Sequence, residues 1–294
     1  MSLFKNSSQQ KEMKQVTKLL VCVCGYFILA LSFNIVIANE ANAVSESAKM
    51  ESYIASLYRR IDFSNSERIS YTVFNNAMRG YLNLRNAGKL TGEKEIITIC
   101  DLNQPSTFNR LWVIDLATKK VLFNSYVAHG QNTGEDCAMT FSNKMNSHQS
   151  SLGFYITTDV YKGEHGTSLH LQGMDQGFND AAFERDIVVH GAEYVSDKYI
   201  NDNQRLGRSW GCPAVPVKLA EPIINTIKDG TCLFIYYPDT RYLANSYWLN
   251  RKMAPLPDQQ LHDDMMPLEL EQPRMRTIQY IHNGKIDSVK KIAR

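Results

Sequence analysis

The spacing of apolar residues changes at Gly88, and this change limits the folds that the chain can adopt. Before Gly88 the apolar residues recur with a helical period, so they form one face of each helix. One helix is predicted over Ser45–Ile61 and a second over Ser66–Asn86, with Gly88 where a helix usually stops. The residues that define the two faces are Ile54, Leu57, Tyr58 and Ile61 in the first helix and Ser70, Val73, Phe74, Ala77, Tyr81 and Leu84 in the second.

After Gly88 the pattern is typical of short strands, because β-branched and aromatic runs alternate with Gly, Asn, Asp and Pro. The predicted strands are Glu95–Cys100, Arg110–Leu116, Val121–Ala128, Gly153–Thr158, Ser168–Leu171, Ile187–His190 and Cys232–Tyr237. The segment around residues 117–119 predicts a hairpin. Strands and helices do not alternate regularly, which argues against a doubly wound sheet. We therefore predict a β-rich α+β core preceded by two helices.

The N-terminal 43 residues have the pattern of a secretory leader. Four lysines precede the apolar run 19–38, and small residues at 41 and 43 suit a signal peptidase. This predicts export to the periplasm or cell envelope. The apolar run is also long enough to cross a membrane, so an uncleaved anchor through residues 19–38 is the alternative.

The formal net charge of +2 belongs entirely to this segment, since four lysines and two glutamates lie before Val44. The remaining chain has 28 basic and 28 acidic residues and is neutral. A generic nucleic-acid-binding protein would show a basic stripe and a high pI, so no nucleic-acid partner is expected.

The C-terminal segment differs from the rest, because four of the nine prolines fall at 255, 257, 267 and 273. We interpret this stretch as a linker. Asn283-Gly284 between two apolar runs then predicts a small β-hairpin. The predicted domain limits are 1–43 for the leader, 44–92 for a helical segment, 93–247 for the core and 248–294 for a C-terminal extension.

The residues with the strongest chemical pattern are His190-Gly191 and Ser209-Trp210-Gly211-Cys212. An apolar strand that ends in His-Gly places an imidazole at a sheet edge, where the glycine allows close approach of another backbone. A free thiol is only a few per cent ionised at neutral pH, so a nucleophilic cysteine needs a nearby base. His190 can supply that base to Cys212.

This combination resembles the L,D-transpeptidase catalytic domain, the YkuD-like family of bacterial wall cross-linking enzymes. The family signature is His-Gly followed by Ser/Thr-His-Gly-Cys. The similarity extends from about Ile69 to Pro238 and is carried in order by residues 110–115, 141–143, 150–155, 190–196 and 207–214. The resemblance implies a mixed β-sheet core, and a cysteine enzyme that acts on peptidoglycan stem peptides without a cofactor or metal.

The resemblance also implies roles for single residues. Cys212 would be the nucleophile and His190 the base, with the Gly191 carbonyl orienting the imidazole. Ser209 would support the loop, and the amides of Gly211 and Cys212 would face the oxyanion of the tetrahedral intermediate. A nucleophilic thiol of this kind also implies that a β-lactam such as a carbapenem could form an adduct with Cys212.

Two departures from the family pattern concern substrate binding. Trp210 stands where the family usually has His, and Pro213-Ala214 replaces an apolar residue followed by Arg or Asn. Because the usual cation is missing, Arg208 or Arg205 is expected to hold the substrate carboxylate. The expected substrate-binding set is Arg208, Arg205, Trp210, Tyr194 and His170.

Other interpretations of these residues remain open. Residues 168–175 nearly match a zinc D,D-peptidase signature through His170, although further ligands at suitable spacing do not follow. The absent arginine and Pro213 would also suit an inactive wall-binding module of the same fold. His129-Gly130 and His165-Gly166 are interpreted as strand-end turns, with contact to substrate as the alternative.

The remaining cysteines are interpreted as structural. Cys100 and Cys232 lie in apolar runs and resemble small buried hydrophobes. Cys137 lies in a polar loop, and a disulfide to Cys100 is the alternative to a free thiol.

Overall fold

The structure is a computed structural model that describes residues 47–91, 93–251, 276–282 and 285–292. The chain divides into two compact units, Met1–Pro255 and Leu256–Arg294. The predicted leader and most of the predicted linker lie outside the described residues. Within the ranges just given, no helix is long and apolar enough to cross a membrane.

Both predicted N-terminal helices are confirmed. Helix α1 spans residues 47–60 and helix α2 spans Tyr71–Asn86. Helix α2 begins later than predicted because the Ser70 hydroxyl accepts a hydrogen bond from the Val73 N–H, which makes Ser70 its N-cap. The apolar residues of both faces are buried apart from Tyr58, which is half-buried, and α2 packs against the sheet described next.

Eight strands form one mixed sheet in the order β3-β2-β1-β8-β4-β5-β6-β7. Their bounds are β1 Ile96–Asp101, β2 Leu111–Asp115, β3 Lys120–Ser125, β4 Gly153–Gly163, β5 Gly166–Gly173, β6 Val188–Ala192, β7 Ala214–Pro216 and β8 Cys232–Tyr236. The pairs β1/β8 and β6/β7 are parallel and the other neighbours are antiparallel. The seven predicted strands, the β2–β3 hairpin and the mixed sheet are therefore confirmed.

Four helices that the sequence analysis did not predict complete this unit. They are α3 Asp197–Asn203, α4 Val217–Ile227, α5 Thr240–Asn245 and α6 Tyr247–Asn250. Helix α4 packs against β6 at Gly191, where an added Cβ would lie 3.0 Å from the Ala220 Cβ and 3.2 Å from the Val217 Cα. Gly191 therefore allows the close backbone approach that its position after His190 predicted.

The second unit contains the predicted C-terminal hairpin. Strands β9 (Arg276–His282) and β10 (Lys285–Ile292) pair antiparallel, with Lys285 opposite His282. In the first unit, Trp248 and Leu249 are buried, so packed structure continues past the predicted limit at residue 247. The domain limits themselves stay predictions.

The buried carboxylate of Asp175 holds the last helices of the first unit against the sheet. It accepts hydrogen bonds from the Phe154 N–H at 2.8 Å, the Tyr242 hydroxyl at 3.1 Å and the Ser246 hydroxyl at 2.6 Å. Tyr242 belongs to α5, and Ser246 is the N-cap of α6. Burial raises the pKa of Asp175, while these hydrogen bonds lower it.

We expect Asp175→Ala to lower the free energy of unfolding by about 3–5 kcal/mol, because three buried donors lose their acceptor. Urea denaturation followed by circular dichroism measures this loss. The matched control is Asp159→Ala, an exposed carboxylate on β4, which should change stability by less than about 0.5 kcal/mol. If both variants lose a similar free energy of unfolding, Asp175 does not hold α5 and α6 in the way described.

Candidate active site

The two parallel strands β6 and β7 bring His190 and Cys212 to one edge of the sheet. His190 lies within β6 opposite Ala214, and Cys212 lies just before β7 begins. This register places the thiol beside the start of β6, where the Val188 N–H donates to Sγ at 3.5 Å. The thiol in turn donates to the Asp186 carbonyl at 3.5 Å.

The His190 imidazole is held in one tautomer. His190 is 3% exposed, and its Nδ1 lies 3.0 Å from the Gly191 carbonyl oxygen. Because a carbonyl only accepts, Nδ1 carries the proton and Nε2 keeps a free lone pair. The contact is the one by which Gly191 was expected to orient the ring.

Burial keeps both groups in their neutral forms. It lowers the pKa of His190 below its ordinary value and raises the pKa of Cys212 to about 11. In the part of the chain that the structure describes, the thiol hydrogen bonds only to backbone groups and not to the imidazole. The resting state is thus a thiol and a neutral imidazole rather than an ion pair.

A cavity of about 610 Å³ opens over these two residues. Of the expected substrate-binding residues, Arg208, Trp210 and Tyr194 line it, whereas Arg205 and His170 are not among its lining residues. The cavity is also lined by residues to which the sequence analysis gave no site role, including Met145, Asn146, His148, Glu164, Arg185 and Asp186.

The loop before Cys212 is fixed by the Ser209 hydroxyl. This hydroxyl accepts from the Gly211 N–H at 3.1 Å and donates to the Cys212 carbonyl at 2.6 Å. Gly211 has φ +128, and an added Cβ would lie 2.8 Å from the Gln149 carbonyl oxygen, so a side chain is excluded there. Ser209 thus contacts both residues of the turn, and its supporting role in catalysis stays a prediction.

The oxyanion role expected of Gly211 stays a prediction, since its N–H is engaged by Ser209 in this conformation. Among the described residues, the Cys212 N–H has no hydrogen-bond acceptor. Pro213 has no N–H to offer. The Cys212 amide is therefore the free backbone donor next to the thiol.

A family model described as the L,D-transpeptidase catalytic domain matches residues 65–236 of the chain. The chain belongs to the L,D-transpeptidase catalytic domain family. The match includes His190, Cys212 and all eight strands of the sheet. It ends before α5 and α6, so the last helices of this unit lie outside the matched residues.

The chain is also similar to solved L,D-transpeptidase structures. The L,D-transpeptidase from Mycobacterium smegmatis is 11% identical with a TM-score of 0.31, and the match covers 49% of this chain and 59% of that one. The helical cell shape determining protein Pgp2 from Campylobacter jejuni is 14% identical with a TM-score of 0.34, and the match covers 53% of this chain and 55% of that one. The L,D-transpeptidase from Xylanimonas cellulosilytica is 12% identical with a TM-score of 0.29, and the match covers 63% of this chain and 91% of that one. No curated protein matches the sequence.

In this L,D-transpeptidase domain the two expected carboxylate-binding arginines share one acid. Arg208 Nη1 lies 2.6 Å from Glu135 Oε1, and Arg205 Nε lies 2.9 Å from Glu135 Oε2. Arg208 also donates to the Gln131 and Gly134 carbonyls at 3.1 Å each. Both cations are therefore ion-paired to the same exposed carboxylate, which leaves the three side chains with a net charge of +1.

Arg185 is the cation beside the thiol that the sequence analysis missed. Its Nη1 donates to the Ser142 carbonyl at 2.7 Å and the Ser151 hydroxyl at 2.5 Å. Its Nη2 donates to the Ser147 hydroxyl at 3.1 Å and the Gln149 carbonyl at 2.7 Å. Within the described residues Arg185 has no ion-pair partner, and its positive charge lowers the pKa of Cys212 against the larger effect of burial.

The β4–β5 hairpin brings a second imidazole to the L,D-transpeptidase cavity. His165 at its tip lines the cavity and stacks on His190 with ring centroids 4.5 Å apart. His170 lies within β5, where its ring stacks on Tyr161 with centroids 4.5 Å apart and its Nδ1 is buried without a hydrogen bond. Of the two histidines on this hairpin, His165 is the one at the site.

The described cysteines are all free thiols, so Cys100 and Cys137 do not form the alternative disulfide. Cys100 and Cys232 are fully buried, as predicted for small hydrophobes, and Cys137 is exposed. The described residues contain no cluster of three His, Cys, Asp or Glu side chains that could hold a metal ion.

A buried Arg110–His129 pair lies behind the site of the L,D-transpeptidase domain. Arg110 Nη2 lies 2.7 Å from His129 Nδ1, and the His129 carbonyl accepts from the Ser209 N–H at 3.0 Å. Because a guanidinium only donates, Nδ1 accepts and the imidazole proton is on Nε2, 3.3 Å from the Gly134 carbonyl oxygen. Burial and the adjacent Arg110 charge lower the pKa of His129 to about 4.

We expect this pair to destabilise the fold in acid. His129 binds a proton more readily in the unfolded chain, so the free energy of unfolding falls as pH drops from about 6.5 to about 4 and levels off below. The loss should be on the order of 3 kcal/mol. Urea denaturation at pH 7, 5.5 and 4 measures it, with His129→Gln as the matched variant. If the variant shows the wild-type pH dependence, His129 is not its source.

Proposed function

We propose that the chain is an exported cysteine acyltransferase that acts on peptidoglycan stem peptides as an L,D-transpeptidase. L,D-carboxypeptidase activity is the variant in which water resolves the intermediate. One observation supports this most strongly: His190 and Cys212 line one cavity, and the Gly191 carbonyl holds the imidazole with Nε2 free. The leader pattern of residues 1–43 supports export.

The first half-reaction forms a thioester. Cys212 Sγ attacks the carbonyl at the L-centre of the third stem-peptide residue, meso-diaminopimelate or its equivalent, while His190 Nε2 accepts the thiol proton. Since the resting pair is neutral, this transfer accompanies the attack, and Sγ has to leave its contacts with the Val188 N–H and the Asp186 carbonyl. The imidazolium then protonates the departing amine, and the terminal D-residue leaves.

The second half-reaction releases the enzyme. An acceptor amine or water attacks the thioester carbonyl while His190 takes its proton, and the imidazolium returns that proton to the departing thiolate. In both halves the oxyanion accepts a hydrogen bond from the Cys212 N–H, the free amide beside Sγ. The Arg185 charge opposes the effect of burial on the thiolate. A carbapenem, whose strained amide is a strong electrophile, would acylate the same sulfur.

Incubation with purified disaccharide-tetrapeptides, followed by mass spectrometry, tests the proposal. Transfer gives a dimer that lacks one terminal D-residue, and hydrolysis gives a tripeptide and the free D-residue. An unchanged tetrapeptide would overturn the proposal. The alternative is a wall-binding module without turnover, and the intact-protein mass after carbapenem treatment distinguishes it from the enzyme. Such a module would bind peptidoglycan and show no adduct.

A further inference from the structure

We propose that Trp210 and His148 form a stacking platform for the amino sugar that carries the stem peptide. This inference rests on the proposed function, because it concerns the same cavity. Trp210 is 71% exposed, and its indole stacks on the His148 imidazole with ring centroids 4.9 Å apart and 8° between planes. Met145 and Tyr161 are also exposed and line the same cavity, so the indole belongs to a group of exposed apolar side chains of the kind that marks a binding surface.

The platform is held rigidly before any ligand arrives. His148 has a left-handed backbone with φ +53, its Nδ1 accepts from Gln131 Nε2 at 2.9 Å, and its carbonyl accepts from the Asn132 N–H at 3.1 Å. With His148 fixed, one face of the indole is covered and the other is presented in a set orientation. Such preorganisation reduces the entropy lost when a ligand stacks.

The surroundings suit a saccharide better than an apolar side chain. A pyranose ring has one apolar face of C–H groups and a polar rim, so it needs a flat aromatic surface with hydrogen-bonding groups nearby. Asn146, Glu164 and Arg208 line the same cavity and supply donors and acceptors. The side chain of Met145, 56% exposed in this cavity, can contact the methyl group of an N-acetyl substituent.

The distances along the substrate agree with this placement. The Cα atoms of Trp210 and Cys212 lie within about 7 Å, and the indole extends beyond its own Cα. Three residues lie between the acid substituent of the sugar and the attacked carbonyl, so the extended span is at least about 10 Å. One substrate can therefore place its third residue at Cys212 and its amino sugar on the platform.

Binding to the full chain tests this without turnover. In a Cys212→Ala background, calorimetry measures dissociation constants for a disaccharide-tetrapeptide and for the same tetrapeptide without sugar. We expect Trp210→Ala to weaken disaccharide-tetrapeptide binding about tenfold more than tetrapeptide binding. Trp210→Tyr should restore most of the difference, and His148→Ala should give a smaller loss because the indole is no longer braced.

Phe108→Ala is the matched control, since Phe108 is 49% exposed and is not among the cavity residues. Equal weakening of both ligands by Trp210→Ala, or no weakening, overturns the platform. A different result would reject the proposed function: the wild-type chain would consume neither ligand. Sugar-dependent binding through Trp210 would still support the platform in that case.

Discussion

Replacement of Cys212 by alanine is expected to remove both transfer and hydrolysis, with kcat/KM lowered by at least about 10³-fold. The thiol is the only nucleophile that the protein supplies in the proposed mechanism, and both transfer and hydrolysis pass through its thioester. The substrate should still bind, since the lining side chains other than Cys212 are unchanged. Release of the terminal D-residue from a disaccharide-tetrapeptide measures the loss, and the carbapenem mass adduct should disappear with it.

The matched control is Cys137→Ala, which removes an exposed thiol that is not among the cavity residues. It should retain wild-type turnover and a single carbapenem adduct. Cys212→Ser provides a second comparison with nearly the same shape. Its hydroxyl is a far weaker acid than a thiol, so we expect turnover close to that of the alanine variant. Full activity in Cys212→Ala would reject the proposed nucleophile.

The strands could be predicted because each is a local run of β-branched or aromatic residues between turn residues. Strand β7 (Ala214–Pro216) could not, since it has three residues and is defined by its pairing with β6 and with Ala128, which are distant in the sequence. Helix α4 contains Pro222, which normally argues against a helix interior. The helix packs on β6 and buries four apolar side chains, Ala220, Ile223, Ile224 and Ile227. Because β6 is distant in the sequence, this contact could not be predicted from the residues of the helix alone.

The site was predictable where neighbouring residues carry it. His190-Gly191 and Ser209–Cys212 are short motifs, and the structure lines one cavity with both. The pairing of Arg208 and Arg205 with Glu135 was not predictable, because the acid lies on a loop far away in the sequence. His165 lies beside His190 because the fold of the β4–β5 hairpin places it there, and the sequence alone does not show this contact. One feature of the sequence could have identified Arg185: it is a cation that comes just before β6, the strand that carries His190.

The position of Arg185 gives this cation two effects at once. Its four hydrogen bonds tie together the segment from Ser142 to Ser151, and its Nη2 would lie 3.3 Å from a Cβ added to Gly211. It therefore fixes the segment that packs against the Gly211–Cys212 turn. Its charge also acts on the thiol, since in the described part of the chain no carboxylate pairs with it. Arg208, although in the same cavity, is paired with Glu135.

We expect Arg185→Gln to raise the pKa of Cys212 further and to lower kcat/KM by about 10²-fold. Removing a cation disfavours the thiolate, so less of the sulfur is ionised at any given pH. The rate of alkylation by iodoacetamide between pH 7 and 10 reports this directly, and at a fixed pH it should fall about tenfold. Turnover should fall more than alkylation, because the loop that shapes the cavity is also loosened.

Two further variants separate charge from packing. Arg185→Lys keeps the positive charge but cannot form all four hydrogen bonds, so alkylation should stay near wild type while turnover falls. Arg208→Gln removes a cation that is ion-paired to Glu135 and is not among the groups that shift the pKa of Cys212, so it should leave the alkylation profile unchanged. If Arg185→Gln gives the wild-type profile in a folded protein, its charge does not reach the thiol. A purely structural role would instead make the glutamine and lysine variants lose turnover equally, with no change in the pH dependence of alkylation.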